Sequence, residues 1–162
     1  MDVAWRKGLA PEELTVEWTQ AVQKLFLEGT GEQYFAGSIQ SLPVPRWEGN
    51  LMLFDSVEET PQSMRGLLWT TPFKEDTVRI VSFVLDPGSR NKGWGSQAWN
   101  ILIESLAETQ YTTIQLEVRS TNEKAINFYR KRGLEVIQEL YGYYSSGIGY
   151  LMRGPLQTIN PQ

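Results

Sequence analysis

The spacing of apolar positions is helical in the first part of the chain. Over residues 11–29 apolar side chains recur at near-helical intervals, acidic residues occupy the first turn, and Gly29 can end the helix. A shorter helix is predicted over residues 32–42, because Pro43 interrupts regular structure directly afterwards. The N-terminal part of the chain is therefore predicted to be helical.

From residue 50 onward the helical periodicity ends, and the segments have patterns typical of β-strands. Six strands are predicted in this way, over residues 50–56, 64–71, 76–86, 111–120, 134–144 and 149–155. The second half of segment 76–86 is apolar on both faces, as in a central strand.

Two predicted helices interrupt these strands. Residues 96–110 carry an apolar face that includes Trp99 and Leu102. Residues 120–133 begin with Ser120 in a capping-box pattern, which predicts a helix start there.

The order of these elements indicates one α/β domain. Helices come first, then three strands, a glycine-containing turn, a helix, a strand, a helix and two strands. The strand–turn–helix–strand segment over residues 76–120 predicts a right-handed parallel crossover. We expect the domain to span residues 1–155, with residues 156–162 as a C-terminal tail.

The composition narrows the chemistry that such a domain could perform. The chain has 162 residues with no cysteine and no histidine, so it lacks a thiol nucleophile and also the commonest general base and zinc ligand. Acid–base chemistry must therefore use carboxylates, tyrosines, lysines or water. No metal site is expected.

Charge and hydropathy limit the expected partners. The 15 basic and 19 acidic residues give a net charge of −4, which argues against a general nucleic-acid binder. No stretch approaches the ~20 apolar residues of a membrane span, and the N-terminus has no apolar run typical of a signal peptide. We therefore expect a cytoplasmic protein that binds neither nucleic acid nor a membrane.

The segment SRNKGWGSQAW, residues 89–99, connects a predicted strand to a predicted helix. The first N–H groups of a helix have no partner within it, glycines allow close approach to them, and the helix dipole favours an anion there. Arg90 and Lys92 add positive charge. The segment therefore predicts a binding site for a phosphate or diphosphate.

Three phosphate-binding motifs compete for this segment. The P-loop motif requires lysine and then serine or threonine after its second glycine, whereas Trp94 and Gly95 follow Gly93 here. The dinucleotide motif also fits the glycines, with Glu117 24 residues after Gly93, but seven residues separate the strand from the first glycine. The third motif, Arg/Gln-x-x-Gly-x-Gly/Ala, matches residues 90–95.

This third motif resembles the acetyl-CoA-binding motif of the GCN5-related N-acetyltransferase (GNAT) superfamily. A second signature, Glu-Val-Arg followed by Asn-x-x-Ala-x-x-x-Tyr-x-x-x-Gly, is matched within LEVRSTNEKAINFYRKRGLEVI by Asn122, Ala125, Tyr129 and Gly133. This part is especially similar to N-terminal acetyltransferases that modify ribosomal proteins. The resemblance covers residues 76–155.

The resemblance implies a GNAT fold, with a mixed central sheet of about six to seven strands flanked by about four helices. It also implies transfer of an acetyl group from acetyl-CoA to an amine or peptide, without a metal. We expect a monomer or a homodimer. The residues implied to bind acetyl-CoA are Phe83, Val84, Leu85, Arg90, Asn91, Lys92, Gly93, Trp94, Gly95, Ser96, Asn122 and Tyr129.

Two residues are expected to handle protons. An attacking amine must lose a proton, and without histidine a carboxylate or water must accept it. Glu117 falls on the more polar face of strand 111–120, near its C-terminal end, and the resemblance implies that it is the general base. Tyr129 is implied to be the general acid that protonates the departing CoA sulfur. The alternatives are a solvated strand carboxylate and a half-buried core tyrosine.

The last predicted hairpin is expected to contact the acceptor. Tyr143 and Tyr144 resemble a tyrosine pair of the N-terminal acetyltransferases, although cross-strand packing is an alternative for them. The sequence SSGIG stands where those relatives have an acidic turn, which weakens the case for a peptide N-terminus. The alternatives are therefore a small-molecule acceptor, such as a polyamine, an amino sugar or a metabolite, or a non-catalytic acyl-CoA sensor.

Overall fold

A computed structural model describes residues 2–144 and 147–156, apart from the side chains of Tyr143 and Tyr144. Of the predicted tail over residues 156–162, only Leu156 is among the described residues. No helix in the described part of the chain combines the length and the apolar composition that crossing a membrane requires.

Seven strands of the described chain form one sheet in the order β1-β2-β3-β4-β5-β7-β6. Their bounds are β1 Ala4–Lys7, β2 Leu51–Phe54, β3 Met64–Lys74, β4 Thr77–Leu85, β5 Thr113–Arg119, β6 Glu135–Tyr144 and β7 Gly147–Pro155. The pair β4–β5 is parallel, whereas β1–β2, β2–β3, β5–β7 and β6–β7 are antiparallel. The predicted α/β class with a mixed sheet is confirmed.

The strand β1 was not predicted from the sequence. It pairs with β2, with Ala4 opposite Phe54 and Lys7 opposite Leu51. A four-residue strand with two basic side chains shows too little alternation to be recognised locally. Its strand character depends on a partner that lies far away in the sequence.

Four α-helices lie within the described residues, as predicted: α1 Val16–Thr30, α2 Ala36–Gln40, α3 Trp94–Ser105 and α4 Glu123–Arg130. The predicted bounds of α3 are shifted, because the helix begins two residues earlier than residue 96 and ends five residues earlier than residue 110. Short 3-10 turns also occur at Pro11–Glu13, Pro61–Ser63 and Pro87–Ser89.

The predicted start of the first helix is wrong. The turn Pro11–Glu13 is separate, and the hydroxyl of Thr15 accepts a hydrogen bond from the Trp18 N–H and so caps α1. At the other end α1 continues past Gly29 to Thr30 and is capped by Gly31, whose φ of 79° is the left-handed conformation that glycine adopts at helix ends.

Contacts within the chain divide it into two compact units, the first formed by the residues up to Thr71 and by Val81–Ser105. Its apolar core combines buried side chains of α1, α2, β2, β3 and β4. Trp69 is fully buried, meets Phe26 edge-to-face at 6.2 Å between ring centroids, and donates its Nε1–H to the Leu9 carbonyl at 2.8 Å. Within this unit the Trp69 ring thus has an aromatic contact and its Nε1–H has a hydrogen-bond acceptor.

The second unit contains Pro72–Ile80 and the residues from Leu106 onward. Within it β5 pairs with β4 on one side and, along its whole length, with β7 on the other. Ile114, Leu116 and Val118 are buried on one face, and the other face carries the buried Gln115 and the largely buried Glu117. Apolar side chains thus occupy one face of β5 and polar side chains the other, as predicted, but the polar face is also covered.

Gly154 of β7 packs closely against the main chain of Gly133 and Leu134 in the second unit. A substitution at Gly154 can test this packing. A Cβ atom on Gly154 would lie 2.6 Å from the Gly133 carbonyl oxygen and 2.8 Å from the Leu134 Cα atom. We expect Gly154→Ala to lower the free energy of unfolding by about 1–3 kcal/mol, because main-chain atoms must move. Urea denaturation measures this loss.

Gly37→Ala is the matched control. Gly37 lies in α2, and nothing is within 4 Å of the added Cβ atom. We expect the control to be unchanged or up to about 1 kcal/mol more stable, since alanine favours the helix. Equal unfolding midpoints for the two variants would contradict the packing seen at Gly154.

Candidate functional site

The connection between β4 and α3 has two left-handed residues. Asn91 has a φ of 60° and Gly93 a φ of 86°, and α3 begins directly afterwards at Trp94. At Gly93 a side chain would have space but would strain the backbone, so glycine is required here for its conformation. Loops with residues of this kind form concave nests of N–H groups that bind anions.

Main-chain donors are available in this loop. In the part of the chain that the structure describes, the N–H groups of Lys92, Gly93, Trp94 and Gly95 have no hydrogen-bond acceptor. The first bond into the helix is donated by the Gln97 N–H to the Gly93 carbonyl at 3.1 Å. The arrangement therefore offers several amides and the positive end of a helix dipole to a phosphate or diphosphate.

Two side chains anchor this loop within the first unit. Trp5 of β1 donates its Nε1–H to the Trp94 carbonyl at 2.8 Å. Arg90 donates an Nη2–H to the Gly29 carbonyl near the end of α1, and lies 3.5 Å from the Leu85 carbonyl. The Arg90 guanidinium thus binds main-chain carbonyls, and both Arg90 and Lys92 are exposed and carry a positive charge in this loop.

For Phe83, Val84, Leu85 and Ser96 of the first unit, acetyl-CoA binding stays a prediction. The parallel ladder of β4 joins Thr77–Arg79 to β5, and Phe83–Leu85 lie four to six residues beyond its last residue. Val84 is buried, and Ser96 is half-buried in the first turn of α3.

Glu117 is held by Arg79, which is not among the predicted site residues. Arg79 Nε lies 2.9 Å from Glu117 Oε1 and 3.3 Å from Oε2, and Arg79 Nη2 also donates to Oε1. Only 11% of the Glu117 side chain is exposed. Arg79 is the basic residue within the apolar segment TVRIVSFVL, and a charge in such a strand was the signal that it has a partner.

The helix α4 carries the other predicted residues of the second unit. Asn122 Oδ1 accepts a hydrogen bond from the Ala125 N–H at 3.2 Å and caps α4. The predicted cap at Ser120 is therefore wrong, because the helix begins at Glu123. Tyr129 is buried, and its ring meets Phe128 edge-to-face at 5.5 Å between centroids.

Arg132 belongs to the same packing arrangement as Tyr129. Its guanidinium lies 3.6 Å from the centroid of the Phe128 ring, and its Nη1 donates to the Phe128 carbonyl at 3.0 Å. Burial lowers the pKa of the Arg132 guanidinium, while the neighbouring Tyr129 acts in the opposite direction. The surroundings of Tyr129 are thus both apolar and cationic.

The predicted acceptor residues fall largely outside the described part. Tyr143 and Tyr144 belong to β6, but their side chains are not among the described ones. Tyr141 is exposed, and its hydroxyl donates to the Glu139 carboxylate, which raises the pKa of the Tyr141 phenol. The role of this tyrosine pair stays a prediction.

A surface pocket of about 270 Å³ lies within the first unit. Its walls come mainly from one side of α1 and from the turn that leads into β3. None of the residues predicted to bind acetyl-CoA or to catalyse transfer lines this pocket.

The fold is similar to solved acetyltransferase structures. Ard1 from Thermoplasma volcanium has a TM-score of 0.78 and 22% identity, over 98% of this chain and 100% of that chain. The ribosomal-protein-S18-alanine N-acetyltransferase from Escherichia coli has a TM-score of 0.76 and 18% identity, over 99% and 97%. Arabidopsis thaliana Naa50 in complex with the bisubstrate analogue CoA-Ac-MVNAL has a TM-score of 0.69 and 18% identity, over 94% and 98%.

Sequence comparison gives a family match. The family model described as Acetyltransferase (GNAT) family matches residues 12–134, which is most of the chain. No match was found among curated protein sequences.

The cap at Asn122 yields a prediction about stability. Removing the acceptor in Asn122→Ala leaves the Ala125 N–H without its partner, so we expect a loss of about 0.5–2 kcal/mol in the free energy of unfolding. Asn122→Asp keeps an acceptor at the helix start and should retain most of the stability. Urea unfolding compares the three proteins. Equal losses in both variants would show that the cap does not stabilise α4.

Proposed function

The chain belongs to the acetyltransferase (GNAT) family, and we propose that it transfers the acetyl group of acetyl-CoA to a primary amine at a protein or peptide N-terminus. The observation that carries this proposal is the loop before α3, with its left-handed Asn91 and Gly93 and its available main-chain donors. A peptide acceptor is supported by the fold's likeness to N-terminal acetyltransferases, one of which was solved with a CoA–peptide analogue.

The residues of the loop fit the diphosphate of the cosubstrate. The amides of residues 92–95 would bind its oxygens, and Lys92 would add positive charge. The main chain of Phe83–Leu85 would bind the pantetheine chain and stabilise negative charge on the thioester oxygen. When bound, acetyl-CoA supplies an acetyl thioester that the amine attacks while the CoA thiol departs.

Glu117 would accept the proton of the attacking amine, directly or through a water molecule. Its contacts with Arg79 fix the orientation of the carboxylate. An ionised carboxylate offers about four acceptor positions on its two oxygens, so a carboxylate can pair with an arginine and also bind an amine or a water. Charge pairing does not by itself rule out base function.

Tyr129 would supply the proton to the departing sulfur. Its burial keeps the phenol away from bulk water, and a tyrosine is protonated at neutral pH. Because the chain has neither histidine nor cysteine, tyrosine is one of few side chains that can donate a proton there.

The first test is cosubstrate binding measured by calorimetry. We expect acetyl-CoA to bind the wild-type protein, and Gly93→Ala to bind it about tenfold more weakly. Alanine at this φ costs about 1–2 kcal/mol, so the free variant relaxes to another loop conformation and must recover the strained one on binding. Gly88→Ala is the matched control in the same connection, because the nearest atom is 3.9 Å from its added Cβ. Absence of binding to the wild-type protein would refute the proposed function.

The second test is turnover. We expect Glu117→Gln and Tyr129→Phe each to lower kcat/KM by about 10²–10⁴, the usual contribution of general acid–base catalysis. Release of CoA thiol, with mass spectrometry of a peptide and amine library, gives the rates and identifies the acceptor. Glu104→Gln, on the exposed side of α3, should leave the rates unchanged.

Two outcomes of the turnover test would contradict the proposal. Rapid acetylation of amino sugars or polyamines but of no peptide would assign a small-molecule acceptor. Binding of acetyl-CoA with no release above background, and no effect of either substitution, would indicate an acyl-CoA sensor.

A further inference from the structure

One face of the sheet in the second unit carries more arginine than carboxylate. The register places four residues side by side in one row across four strands: Arg79, Gln115, Arg153 and Glu135. The same face of β5 also carries Glu117, opposite Leu151, and Arg119, opposite Gly149. Among these residues of β4, β5, β6 and β7, three arginines thus stand with two carboxylates.

The two arginines that flank Gln115 have different partners. Arg79 is paired with the carboxylate of Glu117. Arg153 donates from Nε and Nη2 to Gln115 Oε1, at 3.1 and 2.7 Å, and this acceptor is a neutral amide. Glu135 is directly opposite Arg153 in the register, but it is exposed, and among the described residues Arg153 forms no ion pair.

The charge of Arg153 is therefore only partly compensated. Gln115 is 5% exposed and Arg153 is half-buried, so the guanidinium has lost part of its hydration. A neutral oxygen replaces some of that hydration but none of the missing negative charge. A guanidinium has further N–H donors beyond those used here, and these match the geometry of a carboxylate.

We propose that Arg153 binds a carboxylate of the acceptor, and that the preferred acceptors are N-termini with an acidic side chain in the first few residues. This inference rests on the proposed function, because it assumes that the amine is deprotonated at Glu117. Arg153 is a diagonal cross-strand neighbour of Glu117, and such neighbours are about 7–8 Å apart. An extended peptide advances about 3.3 Å per residue, so the second or third residue of an acceptor spans that separation.

The test compares peptides that differ at a single position. Two acceptor peptides are identical except for glutamate or glutamine as the second residue, and a second pair carries the same exchange at the third residue. We expect kcat/KM of the wild-type enzyme to be about tenfold or more higher for the glutamate peptide in at least one pair, as is usual for a charge-assisted contact. Added salt should reduce this ratio.

Variants of Arg153 then test whether this residue causes the preference for glutamate peptides. Arg153→Gln should abolish the glutamate preference while still acetylating the glutamine peptide, and that retained turnover shows that the protein is folded. Arg153→Lys keeps the charge but not the planar fork, and should retain part of the preference. The control is Arg130→Gln, an exposed arginine on α4, which should leave the preference unchanged.

The outcomes separate this inference from the proposed function. Equal acetylation of glutamate and glutamine peptides by the wild-type enzyme would overturn the role of Arg153 and leave N-terminal acetylation intact. A glutamate preference that persists in Arg153→Gln would also overturn it. Failure to acetylate any of these peptides would count against both.

Discussion

The alternation of side chains along β5 is the constraint on which the second unit depends. Ile114, Leu116 and Val118 supply buried apolar surface, and successive side chains of a strand point to opposite faces, so Glu117 and its polar neighbours must face the other way. A shift of the register by one residue would place the carboxylate in the apolar core and the apolar side chains on the polar face. The interactions that stabilise the sheet therefore also fix the position of the candidate base.

A carboxylate on a largely covered face requires compensation of its charge. Arg79 provides it for Glu117, and a planar guanidinium holds the carboxylate with more than one donor, which a lysine does not. Arg153 lies in the same row of the sheet but has the amide of Gln115 as its partner. The contrast between a paired and a partly compensated arginine gives this face a positive character beside the candidate base.

Local sequence patterns predicted the elements with strong periodicity and missed what depends on distant residues. The central strands and α3 were recognisable because their own residues define a buried face. By contrast, β1 becomes a strand through β2, and Arg79 acquires its role through Glu117, 38 residues away. The cap of α4 was assigned to Ser120 because the capping-box spacing fits, whereas the main chain makes Asn122 the last residue before the helix. The predicted contact of Tyr143 and Tyr144 with the acceptor rests only on the resemblance to the family.

In the proposed function, the loop before α3 would recognise a large anionic ligand with few residues. Its conformation includes two left-handed residues, Asn91 and Gly93. Glycine adopts this conformation readily, whereas it is unfavourable for Asn91 in a free chain and must be held there by the rest of the unit. Trp5 and Arg90 hold it by binding the carbonyls of Trp94 and Gly29, so the donors are arranged before any ligand arrives. The conformational entropy lost when the loop becomes ordered is then a cost of folding and does not weaken binding. Arg90, the first residue of the motif, thus has a structural contact that fixes the loop, and under the proposed function the main-chain amides would contact the diphosphate.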